Sequence, residues 1–266
     1  MERRVFVKNI ASAALLLSSG KWASAEFLKE EVKLRFIVAS DGHYGQPKTE
    51  YEQFFKEFVG AANSFHSKNK VAFTVFNGDI IHDDPKHFAG AKAALDQLPT
   101  KYYVTQGNHD HATPELWQSI WKMPMNYSFS EKEYGFILAT SSDEKGTYTC
   151  PDLNFIKTEL EKFSKKRQVF LFIHINSAKQ TANSVDCQPL LELLKQHKNV
   201  KAVFNGHDHD MDDVKKSGDI PFIFDAHIGG SWGTSYRGFR VVELLQDGSV
   251  HTYMMNPVAA GAKVVV

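Results

Sequence analysis

Short apolar, β-branched runs recur along the chain, and between them the apolar positions change to helical spacing. Residues 33–40, with Leu34, Phe36, Ile37 and Val38, predict a strand. Tyr51, Phe54, Phe55, Phe58, Val59, Ala62 and Phe65 fall on one face of a helix over 49–65. Residues 71–76 predict a buried strand, 85–98 a helix with an Ala-rich face, and 102–105 a short strand. A helix over 114–121 opens on a proline in its first turn. Residues 127–129 and 136–140 predict an antiparallel pair about a turn at Tyr134-Gly135. A helix over 151–163 precedes a fully apolar strand, 169–175, that carries His174 at its end. A helix over 189–197 precedes a strand, 200–204, that runs into Gly206-His207. Three further strands follow, 221–225, 239–245 and 250–255, the last two joined by a hairpin turn at Asp247-Gly248.

Strands alternate with helices early and pair with each other late, so the class is α/β. One sheet alone would leave a face bare, so two packed sheets with helices on their outer sides are expected. No linker, repeat or low-complexity segment divides residues 26–266, which form one domain. Hydrophobic residues make up 42% of the 266, enough for a sizeable core, and charged residues 23%. The formal net charge is +0 and no basic block stands out, so charge gives no support to a nucleic-acid partner.

Residues 1–25 have the layout of a signal peptide: Arg3, Arg4 and Lys8, an apolar stretch around residues 13–17, then Ala23-Ser24-Ala25. The stretch is too short to span a membrane, and no other segment approaches that length. Arg3-Arg4-Val5-Phe6-Val7-Lys8 also resembles the twin-arginine export signal. The expected location is therefore periplasmic or secreted. An oxidising compartment invites a disulfide between the two cysteines, Cys150 and Cys187, with two free thiols as the alternative.

The polar residues that follow the apolar runs carry the chemistry. Asp41-Gly42-His43, Asn77-Gly78-Asp79, Gly107-Asn108-His109-Asp110, His174 and Gly206-His207-Asp208-His209 each sit just past a strand candidate, with His82 beside the second. Imidazole with carboxylate oxygen suits zinc, manganese or iron. A carboxylate can bridge two cations, as a two-metal site requires. Singly, each motif also reads as a turn, a cap or a core histidine. Together, in one order at strand ends, they read as a two-metal hydrolase site.

This order resembles the calcineurin-like metallophosphoesterase superfamily, whose pattern is D-x-H, G-D, G-N-H-[DE], H and G-H-x-H. The resemblance spans about residues 35–209. It implies a four-layer α/β-β/α sandwich of two mixed sheets flanked by helices. It implies two divalent ions (Mn, Fe or Zn), one held by Asp41, His43, Asp79 and His209, the other by Asp79, Asn108, His174 and His207. It makes His109 the general acid and, with Asn108, a substrate-phosphate contact. The implied reaction is attack on a phosphate ester by hydroxide activated at the dinuclear centre. Many members have an aspartate three residues after the bridging one to orient the catalytic histidine. Here that position is His82, as in the nuclease branch, followed by Asp83 and Asp84. Either a His82–His109 pair or Asp83 is expected to take the orienting role. The tyrosine ligand of purple acid phosphatases is absent.

Gly229-Gly230-Ser231-Trp232-Gly233 and Arg237 form a glycine-rich segment expected to border the site, with Trp232 and Arg237 as substrate contacts. The alternative is an ordinary turn with Trp232 packed on the core. A phosphodiesterase acting on a small phosphate ester is favoured. A phosphomonoesterase is the first rival, since a dianion calls for basic groups and Arg237 is the obvious one. A non-catalytic metal- or phosphate-binding protein is the second. His82 alone suggests a nuclease.

Overall fold

Phe36, Phe73, Phe136, Phe170, Phe172 and Phe204 are buried aromatic residues on five different strands, and their mutual packing joins two sheets face to face. Phe36 meets the rings of Phe136, Phe170, Phe172 and Phe204 at centroid distances of 5.6, 6.0, 6.1 and 5.9 Å. A computed structural model describes residues 14–16, 22–24 and 31–256. Strands β1 (Ala14–Leu16) and β2 (Trp22–Ser24) pair with each other. The rest of the expected signal peptide and the tail 257–266 lie outside the described residues.

The first sheet has β3 (Val32–Ala39), β4 (Phe73–Asn77), β5 (Tyr102–Thr105), β12 (Phe239–Leu245) and β13 (Val250–Met255), in the order β13-β12-β3-β4-β5. Its β3, β4 and β5 are parallel, and β12 runs antiparallel to both neighbours. The second sheet has β6 (Tyr127–Glu131), β7 (Tyr134–Leu138), β8 (Gln168–Phe172), β9 (Val200–Asn205), β10 (Val214–Ser217) and β11 (Ile220–Phe224), in the order β10-β11-β9-β8-β7-β6. Both sheets are mixed. The strands buried on both faces are nearly continuous apolar runs, as covered parallel sheets require.

Helix α1 (Tyr51–Lys68) covers the outer face of the first sheet, setting Phe55 against Phe76 and Phe58 against Phe239. Helices α2 (Phe88–Leu95) and α3 (Pro114–Trp121) extend that layer through Phe88 against Trp117 and Trp121. On the other side α4 (Leu153–Lys162) and α5 (Gln188–Lys195) set Ile156, Leu160, Leu190 and Leu194 against Ile137, Leu171 and Val203. The Thr113 hydroxyl caps α3 through the Leu116 amide, and Asp152 caps α4 through the amides of Asn154 and Phe155. The result is the expected four-layer sandwich. Among the described residues no helix is long and apolar enough to cross a membrane.

Four details differ from the sequence reading. The helix expected over 85–98 opens as a 3-10 turn, Pro85–His87, and α2 ends at Leu95. The hairpin turn is at Lys132-Glu133, with Lys132 at φ 52°, and not at Tyr134-Gly135, which lie in β7. Gly135 belongs in the strand because a Cβ there would overlap the Phe163 ring. Strand β8 stops at Phe172, so His174 stands two residues beyond it. Strand β10 was not anticipated, because Val-Lys-Lys-Ser on a sheet edge has little apolar signal. Cys150 and Cys187 form a disulfide, with Cα atoms 5.5 Å apart.

Candidate metal centre

Five parallel strands end on the same side, β3, β4 and β5 in one sheet and β8 and β9 in the other. The residues just past their carboxyl ends are Asp41 and His43, Asp79, Asn108, His174, then His207 and His209. The crevice beyond the carboxyl ends of such strands is where open α/β sheets place ligands. Backbone hydrogen bonds lace these turns together. Asp41 N donates to Gly78 O, His43 N to Asp79 O, Gly206 N to His174 O, and Gly229 N to Asp41 O. Asp41, His43, Asp79, Asp83 and His207 all take left-handed backbone conformations, with φ between 45° and 68°. Such a conformation costs a non-glycine residue about 1–3 kcal/mol and concentrates at functional sites. Gly107 is forced by proximity: a Cβ there would overlap Asp79 and touch His174.

The proposed ligand atoms fall in two adjacent groups, and a third cluster, His82 and His109 with His43, abuts the first. In the first, His209 Nε2 is 3.0 Å from both Asp41 Oδ1 and His43 Nε2. In the second, His174 Nε2 is 3.2 Å from Asp79 Oδ2, with His207 in the same group. Asp79 Oδ2 also lies 3.7 Å from His43 Nε2, which places this carboxylate between the groups. Both carboxylates are steered by amides: His109 N donates to Asp79 Oδ1 at 2.8 Å and His207 N to Asp41 Oδ2 at 3.0 Å.

These residues fit two cations. Asn108 Oδ1 and His207 Nε2 are buried without a hydrogen-bond partner, a costly state that a metal ion relieves. His174 Nδ1 donates to Asn77 O at 2.7 Å and His209 Nδ1 to Trp232 O at 3.2 Å. Each of those bonds leaves the Nε2 lone pair facing its carboxylate, the arrangement of a metal-binding imidazole.

The electrostatics agree. Burial drives His43 down to about 3 and His207 down to about 4, so both imidazoles are neutral at neutral pH, as a metal ligand must be. Burial also works on His174, but the Asp79 and Asp41 carboxylates outweigh it and raise it to about 10. Burial pushes Asp41 and Asp79 up, yet the surrounding imidazoles win and hold both well below the usual carboxylate range. Metal-free, the pocket holds protons where it would hold cations.

A model of the calcineurin-like phosphoesterase family matches residues 34–211. The chain belongs to that family. Among solved structures, a dimetal phosphatase from Danio rerio superimposes with a TM-score of 0.69 at 15% identity, over 85% of this chain and 96% of that one. GAP50, the anchor in the inner membrane complex of Plasmodium, gives 0.65 at 18% identity over 89% and 88%. The purple acid phosphatase PPD1 of yellow lupin gives 0.64 at 12% identity over 89% of this chain and 53% of that one. These likenesses show the shared fold of two mixed sheets flanked by helices. No curated protein matches the sequence significantly.

Beside the family's ligand set, Asp83 and not His82 is bonded to His109. His109 Nδ1 donates to Asp83 Oδ1 at 2.6 Å, and Asp83 N donates to His109 O at 2.9 Å. The His82 ring lies flat against His109 at 5.1 Å, but its Nδ1 faces His43 Nδ1 at 3.1 Å. His82 therefore braces His43, a candidate ligand. Trp232 is at the site: its ring stacks on His209 at 4.4 Å and lies 4.9 Å from His43. Arg237 is held on α1, over the Phe54 ring at 3.9 Å and 3.5 Å from Glu57.

Two residues of the site have no role assigned from the sequence. Asp110, buried, accepts hydrogen bonds from Ile80 N, Ile81 N and Gly107 N, and so ties the Asp79 turn to the Asn108 turn. Its place in Gly-Asn-His-Asp could have suggested this. Tyr148 sets its ring edge against His207 at 5.0 Å. Nothing in its local sequence marks it.

Proposed function

We propose that this chain is an exported, metal-dependent phosphoesterase that prefers a phosphate diester. The dimetal family and its His/Asp ligand groups support the ester-hydrolysing part. Export rests on the first 25 residues, and its test is whether fusion of that segment carries a reporter out of the cytoplasm. Asp41, His43, Asp79 and His209 would hold one ion, and Asp79, Asn108, His174 and His207 the other. When bound, such ions polarise a phosphoryl group and supply an activated water near neutral pH. Manganese, iron and zinc all suit these ligands.

The residues of the chain do the rest. Asp83 orients His109 through Nδ1, which leaves Nε2 free to pass a proton to the departing oxygen. Asp110 keeps the Asp79 and Asn108 turns in register. His82 steadies His43 from behind.

One observation supports a diester over a monoester. Among the described residues, no Lys or Arg makes a hydrogen bond or ion pair with any proposed metal ligand, with His109 or with Asp83, and Arg237 is engaged on α1. A monoester dianion calls for more positive charge than a diester monoanion. A binding-only protein is the other reading, supported by the fold shared with an anchor protein. That reading has no use for the Asp83–His109 pair.

The test is hydrolysis of bis-p-nitrophenyl phosphate against p-nitrophenyl phosphate by manganese-loaded protein. A higher kcat/KM for the diester is the expected result. A preference for the monoester would overturn the diesterase reading, and turnover of neither would overturn ester hydrolysis and leave the binding-only reading.

A further inference from the structure

The two exposed large hydrophobic side chains among the described residues are Tyr148, 43% exposed, and Trp232, 44% exposed. Scattered singly over a surface they would need no explanation. Here each packs on an imidazole of the metal centre, and the two imidazoles belong to opposite ends of it. Tyr148 meets His207 edge-on at 5.0 Å, beside the group that also holds Asp79 and His174. Trp232 stacks on His209 at 4.4 Å, with ring planes 11° apart, beside the group that also holds Asp41 and His43. The pair therefore brackets the place where a phosphoryl group would sit.

Both side chains are carried by braced segments. The backbone around Tyr148 is tied back by a bridge between Ser142 and Tyr148 and by Thr149 N donating to Ser141 O. Asp143 accepts from the amides of Lys145 and Thr147 within the same loop. Gly146 lies so close that a Cβ there would overlap Asn108 O, which presses the loop onto a proposed ligand residue. Cys150, two residues past Tyr148, is bonded to Cys187 at the start of α5. Trp232 is fixed by its own carbonyl, which accepts from His209 Nδ1, and by Thr234 N donating to His209 O. Two aromatic side chains held in place, partly in water, at the rim of a catalytic centre are preorganised to receive a flat apolar group.

We infer that Tyr148 and Trp232 form a subsite for a planar, aromatic or heteroaromatic organic group on the phosphate ester. The inference rests on the phosphoesterase reading, because it takes the phosphoryl group to be anchored between the ions. Stacking and edge contacts favour any planar ring over a small alkyl group, whatever its hydrogen-bonding pattern.

Calorimetric titration of the manganese-loaded protein with phenylphosphonate and methylphosphonate tests this without turnover. Both ligands carry the same phosphoryl group and neither is hydrolysed. Phenylphosphonate is expected to bind about tenfold tighter. The ratio of the two affinities is expected to fall at least about threefold in Tyr148→Ala and in Trp232→Leu. Tyr148 is on an exposed loop, so its variant serves alone if Trp232→Leu does not fold. Equal binding of the two ligands, or a ratio unchanged in the variants, overturns the subsite and leaves the ester-hydrolysis reading standing. Binding of neither ligand overturns the subsite too, and with it the phosphoryl site on which both readings depend.

Discussion

Asp83, whose own backbone is held in the left-handed region at φ 61°, accepts a 2.6 Å hydrogen bond at Oδ1 from His109 Nδ1. The Asp83 amide returns a second bond to the His109 carbonyl, so the two residues are locked by main chain as well as side chain. Asp83→Ala should therefore lower kcat by about 10- to 100-fold with metal content unchanged. His109→Ala should cost about 100- to 10,000-fold, again with metal retained. Turnover numbers with elemental analysis of each variant check this. A normal kcat in Asp83→Ala would remove it from the orienting role.

Metal binding should release protons. In the metal-free protein His174, raised to about 10, is protonated at pH 7, and a cation needs its lone pair. The competing proton is lost as pH rises toward 10, so affinity for manganese should climb steadily between pH 6 and 9. The same shift stabilises the metal-free fold fully below His174's ordinary value of 6.5, and that contribution is lost as pH rises through about 10. Calorimetry at pH 7 in buffers of differing ionisation enthalpy would show the release. Identical heats in all of them would contradict it.

Two glycines should behave oppositely. Gly107→Ala puts a Cβ into Asp79 and should abolish both metal retention and activity. Gly60, in α1, has open space where its Cβ would be. Gly60→Ala should raise stability by about 0.5–1 kcal/mol through helix propensity and leave activity alone. Denaturant midpoints and metal content of the two variants decide the matter.

The disulfide closes a loop with 37 residues of separation and should contribute about 4 kcal/mol by restricting the unfolded chain. Cys187→Ser should shift the urea midpoint down accordingly, and reductant should do the same to the wild type. An unchanged midpoint would show that the bond adds nothing to global stability.

The proposed ligands could be picked out in the sequence because Asp41, His43, Asp79, Asn108, His174, His207 and His209 lie within a few residues of the ends of apolar runs that had to be buried strands. The two-sheet architecture followed from the same runs. Edge and turn detail was not legible. Val214–Ser217 pairs only with β11 and has one apolar residue, Val214, and the turn at Lys132-Glu133 has no glycine to mark it. The choice between His82 and Asp83 needed coordinates, since adjacent residues can exchange roles with one change of φ. Tyr148 reaches His207 through a loop anchored by the expected Cys150–Cys187 disulfide, and sequence does not show the loop's path. Arg237 read as a phosphate ligand because it is a cation near glycines. The structure sets it over the ring of Phe54 and 3.5 Å from Glu57, contacts that the sequence did not show.

The most direct test concerns Asp79, the carboxylate between the two ligand groups. Electron paramagnetic resonance of the manganese-loaded wild type should show an exchange-coupled pair of ions. Asp79→Asn should lose that coupled signal together with activity, because an amide cannot bridge two cations as a carboxylate does. A coupled signal and full turnover in Asp79→Asn would contradict the dinuclear centre.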